Sequence, residues 1–247
     1  MKFFLSIFIF SLLTLVGCDS SNIQVKSSNS ELSKYQKDAE NGDPVAQYNM
    51  GVVYQQGLSG EKVDLDKAVY WFEKAAKRGE EDAKYNLGVI YISDNSKYRN
   101  VKKAMEIFLE GMGENDAESI NQLGIIYKDG IDTSVDNTKA LSLFKQAANL
   151  GSNSAQFNLG IMYFKGQCVK QDFIEARKWF ERAYKTGGNI NAAYTLAGMY
   201  YEGRGGSKDV EKALNLYQFA ADHGDQEAAK NIEIIKKNMG VDKNLLN

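Results

Sequence analysis

The 247-residue chain has very few of the residues on which most metal sites and catalytic triads depend. It contains one histidine, two cysteines and one proline, and its formal net charge is −2. A single histidine excludes a zinc cluster built on imidazoles and argues against a serine or cysteine nucleophile activated by histidine. The small net charge argues against a protein that binds the phosphate backbone, so we expect no nucleic-acid partner.

The lone histidine and the second cysteine both have structural explanations. His223 precedes Gly224 at the end of a predicted helix, where a cation or cap is the simpler role. Cys168 lies in the loop sequence KGQCVKQD and is expected to be a half-buried small hydrophobic residue. No convincing strand precedes a glycine-rich segment, so no phosphate-binding loop is expected. We predict no catalytic residue, metal, cofactor or small-molecule substrate.

Residues 1–17 have the composition of a secretory leader. Lys2 supplies positive charge, and the apolar run from Phe3 to Val16 is shorter than the about 20 residues that span a bilayer as a helix. The Leu-Val-Gly-Cys sequence at its end resembles the lipobox of bacterial lipoproteins, which implies lipidation of Cys18 at the start of the mature chain. The alternative is an ordinary leader that happens to contain a cysteine.

The segment after this cysteine predicts a flexible tether. Residues 18–30 are dominated by serine and asparagine, and a coil of this length reaches roughly 20 Å. Asp19 resembles the inner-membrane retention signal of enterobacterial lipoproteins, which favours the periplasmic face of that membrane. If Cys18 carries lipid, Cys168 has no mate, and a disulfide framework within the monomer is excluded.

Between residues 43 and 224 the chain repeats itself five times with a period of 36 or 37 residues. Each unit has two blocks with apolar residues at i, i+3, i+4 and i+7, which predicts two amphipathic helices. The first blocks are AQYNMGVVY, AKYNLGVIY, SINQLGIIY, AQFNLGIMY and AAYTLAGMY. The second blocks are DKAVYWFEKAAKRG, KKAMEIFLEGMGEN, TKALSLFKQAANLG, IEARKWFERAYKTG and EKALNLYQFAADHG.

Each predicted helix has residues at its two ends that favour helix capping. First helices are expected to begin after Asp43, Glu80, Asp116, Ser152 and Asn189, and second helices after Asp64, Asn100, Asp136, Asp172 and Asp209. Left-handed residues are expected after the second helices at Gly79, Asn115, Gly151, Gly187 and Gly224. The agreement of caps with periodicity strengthens the prediction of helical hairpins.

A glycine recurs inside four of the first helices, where it is unfavourable by up to about 1 kcal/mol relative to alanine. The glycines are Gly51, Gly88, Gly124 and Gly160, and Ala197 takes the position in the fifth unit. We expect close helix packing there, opposite the steps Ala75–Ala76 and Ala147–Ala148. A tyrosine follows three residues later in each unit, and we expect these tyrosines in the core. We call them the ladder tyrosines: Tyr54, Tyr91, Tyr127, Tyr163 and Tyr200.

These blocks, together with the D-x-x-K-A and closing A-A-x-x-G patterns, resemble the Sel1-like repeat, a relative of the tetratricopeptide repeat. The resemblance implies an all-α fold, a right-handed α-solenoid of helix-turn-helix repeats with a groove-like concave face. Partial capping helices are expected at residues 31–42 and 225–247, on either side of five repeats over 43–224. Asp94 replaces a loop glycine and Gly111–Gly113 replaces an Ala-Ala step, so repeat two is expected to be looser or differently curved.

Two stripes on the first helices are candidates for contact with a partner. The stripe after the ladder tyrosine consists of Gln55, Ile92, Lys128, Phe164 and Tyr201. A neighbouring stripe consists of Tyr48, Tyr85, Phe157 and Tyr194, with Asn121 in the third unit. Aromatic residues are typical of interface hot spots, although packing against the next repeat remains an equal alternative.

Three functions of different class follow. The resemblance implies a protein partner, and some Sel1-like lipoproteins are immunity proteins that neutralise phospholipase toxins delivered by type VI secretion. The second possibility is an envelope adaptor that holds a resident complex at the membrane through the N-terminal lipid. The third is a β-lactamase-like enzyme or cell-wall hydrolase, against which the residue inventory argues, because the chain has one histidine and no cysteine pair in each repeat.

Overall fold

The computed structural model describes residues 29–94 and 96–244, and within them it contains twelve α-helices and no strand. Cys18, Asp19, the leader and most of the predicted tether lie outside the described residues. The helices are α1 (Asn29–Glu40), α2 (Pro44–Gln56), α3 (Leu65–Ala76), α4 (Glu81–Ile92), α5 (Val101–Gly113), α6 (Ala117–Asp129), α7 (Asn137–Asn149), α8 (Asn153–Lys165), α9 (Phe173–Gly187), α10 (Ile190–Glu202), α11 (Val210–Asp222) and α12 (Gln226–Asn244).

The helices stack as five hairpins, α2/α3, α4/α5, α6/α7, α8/α9 and α10/α11. Each second helix also packs on the first helix of the next hairpin, while α1 covers α2 and α12 covers α11. First helices of neighbouring hairpins also contact each other, as α2 does α4 and α6 does α8. The predicted all-α solenoid is therefore confirmed, with the first helices forming its inner layer.

The predicted helix starts are confirmed by the capping hydrogen bonds. Asp43, Asp116, Ser152 and Asn189 accept backbone N–H groups at the starts of α2, α6, α8 and α10. The five predicted caps of the second helices do the same for α3, α5, α7, α9 and α11. Glu80 precedes α4 but its side chain makes no capping bond.

The predicted helix ends are confirmed at Gly79, Asn115, Gly151 and Gly224, which all have positive φ. The prediction was wrong at Gly187, because α9 continues through it and Gly188 takes the left-handed conformation at φ 57°. The same rule holds at all five ends: the residue in the left-handed conformation is the one directly before the N-cap of the next helix. Because Asn189 is the next N-cap, that residue is Gly188 and not Gly187.

The recurring glycines inside the first helices do mark close packing, but against different residues from those predicted. A Cβ atom at Gly51, Gly88, Gly124 or Gly160 would lie only 2.5–2.7 Å from a phenylalanine ring carbon of the paired second helix. The rings belong to Phe72, Phe108, Phe144 and Phe180, all fully buried. The Ala-Ala steps were therefore the wrong partners, because a large ring fills the space that each glycine leaves.

The ladder tyrosines join the two helices of each hairpin. Tyr54, Tyr91 and Tyr200 are buried, and Tyr127 and Tyr163 are partly buried. In every repeat the tyrosine carbonyl accepts the N–H of the residue that caps the second helix, at 2.8–3.0 Å. This bond closes the loop between the two helices in the same way five times.

Candidate protein-binding face

Hydrogen bonds between neighbouring first helices run along the inner layer. Gln122 Nε2 donates to Tyr85 Oη at 2.8 Å, and Asn231 Nδ2 donates to Tyr194 Oη at 3.1 Å. In the third repeat, where asparagine replaces the aromatic residue, Asn158 Nδ2 donates to Asn121 Oδ1 at 2.9 Å. The asparagine at position 121 therefore has a polar partner on α8, the first helix of the next hairpin.

The aromatic stripe also packs backward onto the core of its own hairpin. Ring centroids lie 5.9 Å apart for Tyr48 and Phe72, 5.9 Å for Tyr85 and Phe108, 5.5 Å for Phe157 and Phe180, and 5.4 Å for Tyr194 and Tyr217. Tyr48, Phe157 and Tyr194 remain partly exposed, whereas Tyr85 is only 9% exposed. Three of these four rings therefore keep part of their surface exposed to solvent.

The stripe that follows the ladder tyrosine is divided. Ile92 is buried, while Gln55 and Lys128 are partly exposed. Phe164 packs edge-on against Phe173, with ring centroids 5.3 Å apart.

The loop between α10 and α11 covers Phe164 and Tyr201, the two aromatic members of that stripe. The Arg204 guanidinium lies 5.5 Å from the centre of the Phe164 ring, and the Lys208 ammonium lies 4.7 Å from that of Tyr201. Much of this stripe is thus engaged within the array.

A further aliphatic position, not among the residues predicted from the sequence, lies between the aromatic stripe and the position of the amides Gln122, Asn158 and Asn231. It is occupied by Val52, Val89, Ile125, Ile161, Gly198 and Ile234. At 3.6 residues per turn, a side chain four residues after the aromatic and three after the amide projects between them. Ile125 and Ile161 are partly exposed and Ile234 is 55% exposed. This position could have been identified from the sequence, because an apolar side chain recurs there in five of the six helices.

The loop between α4 and α5, where a glycine was expected, is fixed by ion pairs. Arg99 contacts Asp132 of the following loop through two hydrogen bonds, at 2.9 and 3.0 Å, and Asp94 at 3.3 Å. Lys97 pairs with Asp66 of the preceding hairpin. The guanidinium holds the pKa of Asp132 below its usual value, and Lys97 does the same for the pKa of Asp66. This loop therefore links three consecutive repeats.

The remaining candidates for chemistry were placed as follows. Cys168 was predicted to be half-buried, but it is exposed with φ 56°, because it sits at the turn of its loop and not against a helix. His223 stacks on Phe219 and its Nδ1 lies 2.7 Å from the Phe219 carbonyl oxygen. Across residues 29–94 and 96–244, no cluster of histidine, cysteine or carboxylate side chains has metal-binding geometry. Nor does that part of the chain contain a helix both long and apolar enough to cross a bilayer.

A family model described as the Sel1 repeat matches five segments, residues 44–80, 81–110, 117–152, 153–187 and 190–225. These segments coincide with the five hairpins. No curated protein sequence matches the chain.

Solved structures share the fold. A Sel1 repeat protein from Oxalobacter formigenes is 27% identical, with a TM-score of 0.68 over 82% of this chain and 84% of that one. Two immunity proteins from Pseudomonas aeruginosa are 17% and 21% identical, with TM-scores of 0.57 and 0.56. The alignments cover 77% and 75% of this chain, and 72% and 67% of those proteins.

Proposed function

The chain belongs to the Sel1 repeat family, and from that premise we propose that it binds a protein partner through the inner face of its first helices. We define this inner face by the aromatic residues Tyr48, Phe157 and Tyr194 and the aliphatic residues Ile125 and Ile161. The observation that carries the proposal is that four of the five repeats place at least one partly exposed aromatic or aliphatic side chain on the first helix, whereas Tyr85 and Val89 of the second repeat are buried. Aromatic and aliphatic anchors surrounded by amides are typical of protein interfaces.

The side chains of this face are held by contacts within the array, which favours binding. Each aromatic ring rests on a buried ring of the paired helix, and amide side chains fasten neighbouring first helices together. Side chains held in place before association lose less conformational entropy when a partner arrives. The inner face is therefore suited to tight binding of a folded or extended protein segment.

The finer proposal is that the protein is lipidated at Cys18, faces the periplasm and inhibits a secreted, phospholipase-like toxin. Its support is the Leu-Val-Gly-Cys sequence and the fold shared with two immunity proteins. Those neighbours are distant in sequence, so the transfer of an immunity role to this chain is our proposal. A solenoid of this kind would inhibit by covering the entrance to the active site of the toxin.

The inhibitor proposal is tested by mixing the purified protein with a secreted phospholipase encoded by the same strain and measuring lipid hydrolysis. We expect inhibition that saturates at a fixed molar ratio. A complex with resident envelope proteins and no effect on the phospholipase would reject the inhibitor role in favour of an adaptor. The matched variant is Ile161→Lys, which places a charge on the inner face, with exposed Glu106→Gln on α5 as the control.

A further inference from the structure

The fifth repeat departs from the others where a glycine of the first helix meets a ring of the second. Ala197 takes the position of the glycine, and Tyr217 takes the position of the phenylalanine. In the other repeats a Cβ atom at the glycine would lie only 2.5–2.7 Å from the phenylalanine ring. Because Ala197 carries such an atom, the Tyr217 ring cannot occupy the place that the phenylalanine rings take.

Gly198 leaves a gap in the inner face beside this ring. Every other first helix and α12 carry valine or isoleucine at this position: Val52, Val89, Ile125, Ile161 and Ile234. Apart from its own helix backbone and its chain neighbours, a Cβ atom at Gly198 would have one neighbour within 4 Å, the Tyr217 hydroxyl oxygen at 3.4 Å. Tyr194 and Glu202 lie one helical turn before and after Gly198. We call this gap, bounded by Tyr194, Glu202 and Tyr217, the Gly198 notch.

The hydroxyl that faces the notch has no partner within the described part of the chain. Tyr217 is only 6% exposed, and its ring packs edge-on against Tyr194 with centroids 5.4 Å apart. Among residues 29–94 and 96–244, no group donates a hydrogen bond to Tyr217 Oη or accepts one from it. The unpaired side-chain atoms sealed from solvent there are Gln47 Oε1 and Glu118 Oε2, so the Tyr217 hydroxyl keeps contact with solvent. It is therefore available to a group that enters the notch.

The surroundings of this hydroxyl determine which groups it can bind. Burial raises the pKa of Tyr217, and the nearby Tyr194, Glu202 and Asp225 add to the rise. The phenol therefore stays protonated at neutral pH and can both donate and accept a hydrogen bond. Glu202 is already paired with Arg204, and Asp225 accepts a backbone N–H at the start of α12. Their negative charge disfavours an anionic group in the notch.

We propose that the Gly198 notch receives a carboxamide side chain, asparagine or glutamine, of the protein partner, an inference that rests on the protein-binding function proposed above. The inner layer already uses this chemistry, since the Gln122 carboxamide donates to Tyr85 Oη at 2.8 Å and that of Asn231 to Tyr194 Oη at 3.1 Å. A carboxamide is uncharged and can donate to the phenol or accept from it. An apolar side chain in the notch would leave the phenol unpaired, at a cost in affinity.

The first test uses N-acetyl-glutamine amide as the probe and the full chain in detergent micelles. The backbone amide shifts of Gly198 and Tyr217 are followed by NMR during titration. We expect saturable shifts with this probe and none with N-acetyl-glutamate amide, which has the same shape but carries a negative charge. Equal or larger shifts with N-acetyl-glutamate amide or N-acetyl-lysine amide would overturn the proposal, as would the lack of a saturable shift with the glutamine probe.

The second test uses Tyr217→Phe, which removes the hydroxyl and keeps the ring. We expect this variant to bind the glutamine probe about threefold more weakly or worse, since it loses one neutral hydrogen bond. The control Tyr70→Phe removes a hydroxyl from a tyrosine of α3 that is 50% exposed, and it should bind like the unaltered protein. Unchanged affinity in Tyr217→Phe would refute the proposed contact.

The melting temperature of Tyr217→Phe checks the premise that the hydroxyl is unpaired. Four repeats have phenylalanine at this position, so the variant is expected to fold. Because no hydrogen bond within the chain is lost, its Tm should equal or exceed that of the unaltered protein. A clear fall in Tm would show that the hydroxyl has a partner inside the chain and would overturn the proposal.

These outcomes separate the notch from the wider function. If the glutamine probe fails while a protein partner binds the inner face, the notch proposal is wrong and the protein-binding proposal stands. If the probe binds at the notch in the expected way and no protein partner binds the array, the notch is supported as a carboxamide site and the proposed function is refuted.

Discussion

Substitution of Gly124 by alanine tests the packing that holds each hairpin together. The new Cβ atom would lie 2.6 Å from Cε1 and 2.7 Å from Cδ1 of Phe144. Because the Phe144 ring is fully buried in the core, it has no free space into which it could turn. The substitution therefore forces the two helices apart or the ring out of its rotamer.

Two opposing effects decide the size of this change. Alanine is the better helix former by about 1 kcal/mol. Overpacking a dense core typically costs about 1–3 kcal/mol, and a contact nearly 1 Å too short lies at the upper end of that range. We therefore expect Gly124→Ala to lower the free energy of unfolding by about 1–2 kcal/mol.

The matched control is Gly198→Ala in α10. A Cβ atom there would meet only Tyr217 Oη at 3.4 Å, an ordinary contact distance. This variant should keep or slightly raise the stability, because the gain in helix propensity is not opposed. Both variants are compared by urea unfolding followed by far-ultraviolet circular dichroism.

A double substitution completes the test. In the background of Phe144→Ala, which removes the ring, Gly124→Ala should become stabilising, so the sign of its effect reverses. If Gly124→Ala were as stable as the unaltered protein, or destabilised it equally without the ring, the proposed contact between glycine and ring would not explain the recurring glycine.

Three further predictions follow from the capping bonds, the buried carboxylate and the sequence before the first helix. Asn189→Ala removes the side-chain oxygen that accepts the N–H of Ala192 in α10 at 2.9 Å, and it should lower the free energy of unfolding by about 1 kcal/mol. Glu80→Ala, at a helix start without such a bond, should change the free energy of unfolding little. Equal losses for the two variants in chemical unfolding would contradict the role of the capping bond. Burial raises the pKa of Glu118, so the folded state binds its proton more tightly than the unfolded state, and the ionised side chain destabilises the fold at neutral pH. Glu118→Gln should therefore raise the Tm at pH 7, and the gain should shrink as the pH falls through the pKa of Glu118; a gain independent of pH argues against a buried charge. Cys18→Ser should abolish labelling with radioactive palmitate and release the protein from membranes, and continued labelling would exclude Cys18 as the lipid attachment site.

Helix boundaries and pairing could be predicted from the sequence because local chemistry determines them. A capping side chain acts on backbone N–H groups only two or three residues away, so Asp43 or Asp136 marks a helix start without knowledge of the fold. The period of 36 or 37 residues then fixes the number of hairpins. The misplaced end at Gly187 came from two adjacent glycines, between which only the position of the next cap discriminates.

Contacts between helices could not be predicted in the same way. The partner of each glycine is a ring some 20 residues away, and periodicity alone did not distinguish Phe144 from the Ala147–Ala148 step. Ile92 shares its register with Phe164 and Tyr201, yet it is buried while they are partly exposed.

The central claim, that the inner face of the first helices binds a protein, is tested most directly by site-specific photo-crosslinking in living cells. A photoreactive amino acid is placed at Ile125 or Ile161 on the inner face, and at exposed Tyr70 or Glu106 on the second helices. The account predicts that the inner positions crosslink to one protein partner and that the outer positions do not. Crosslinks formed only from the second helices would contradict it.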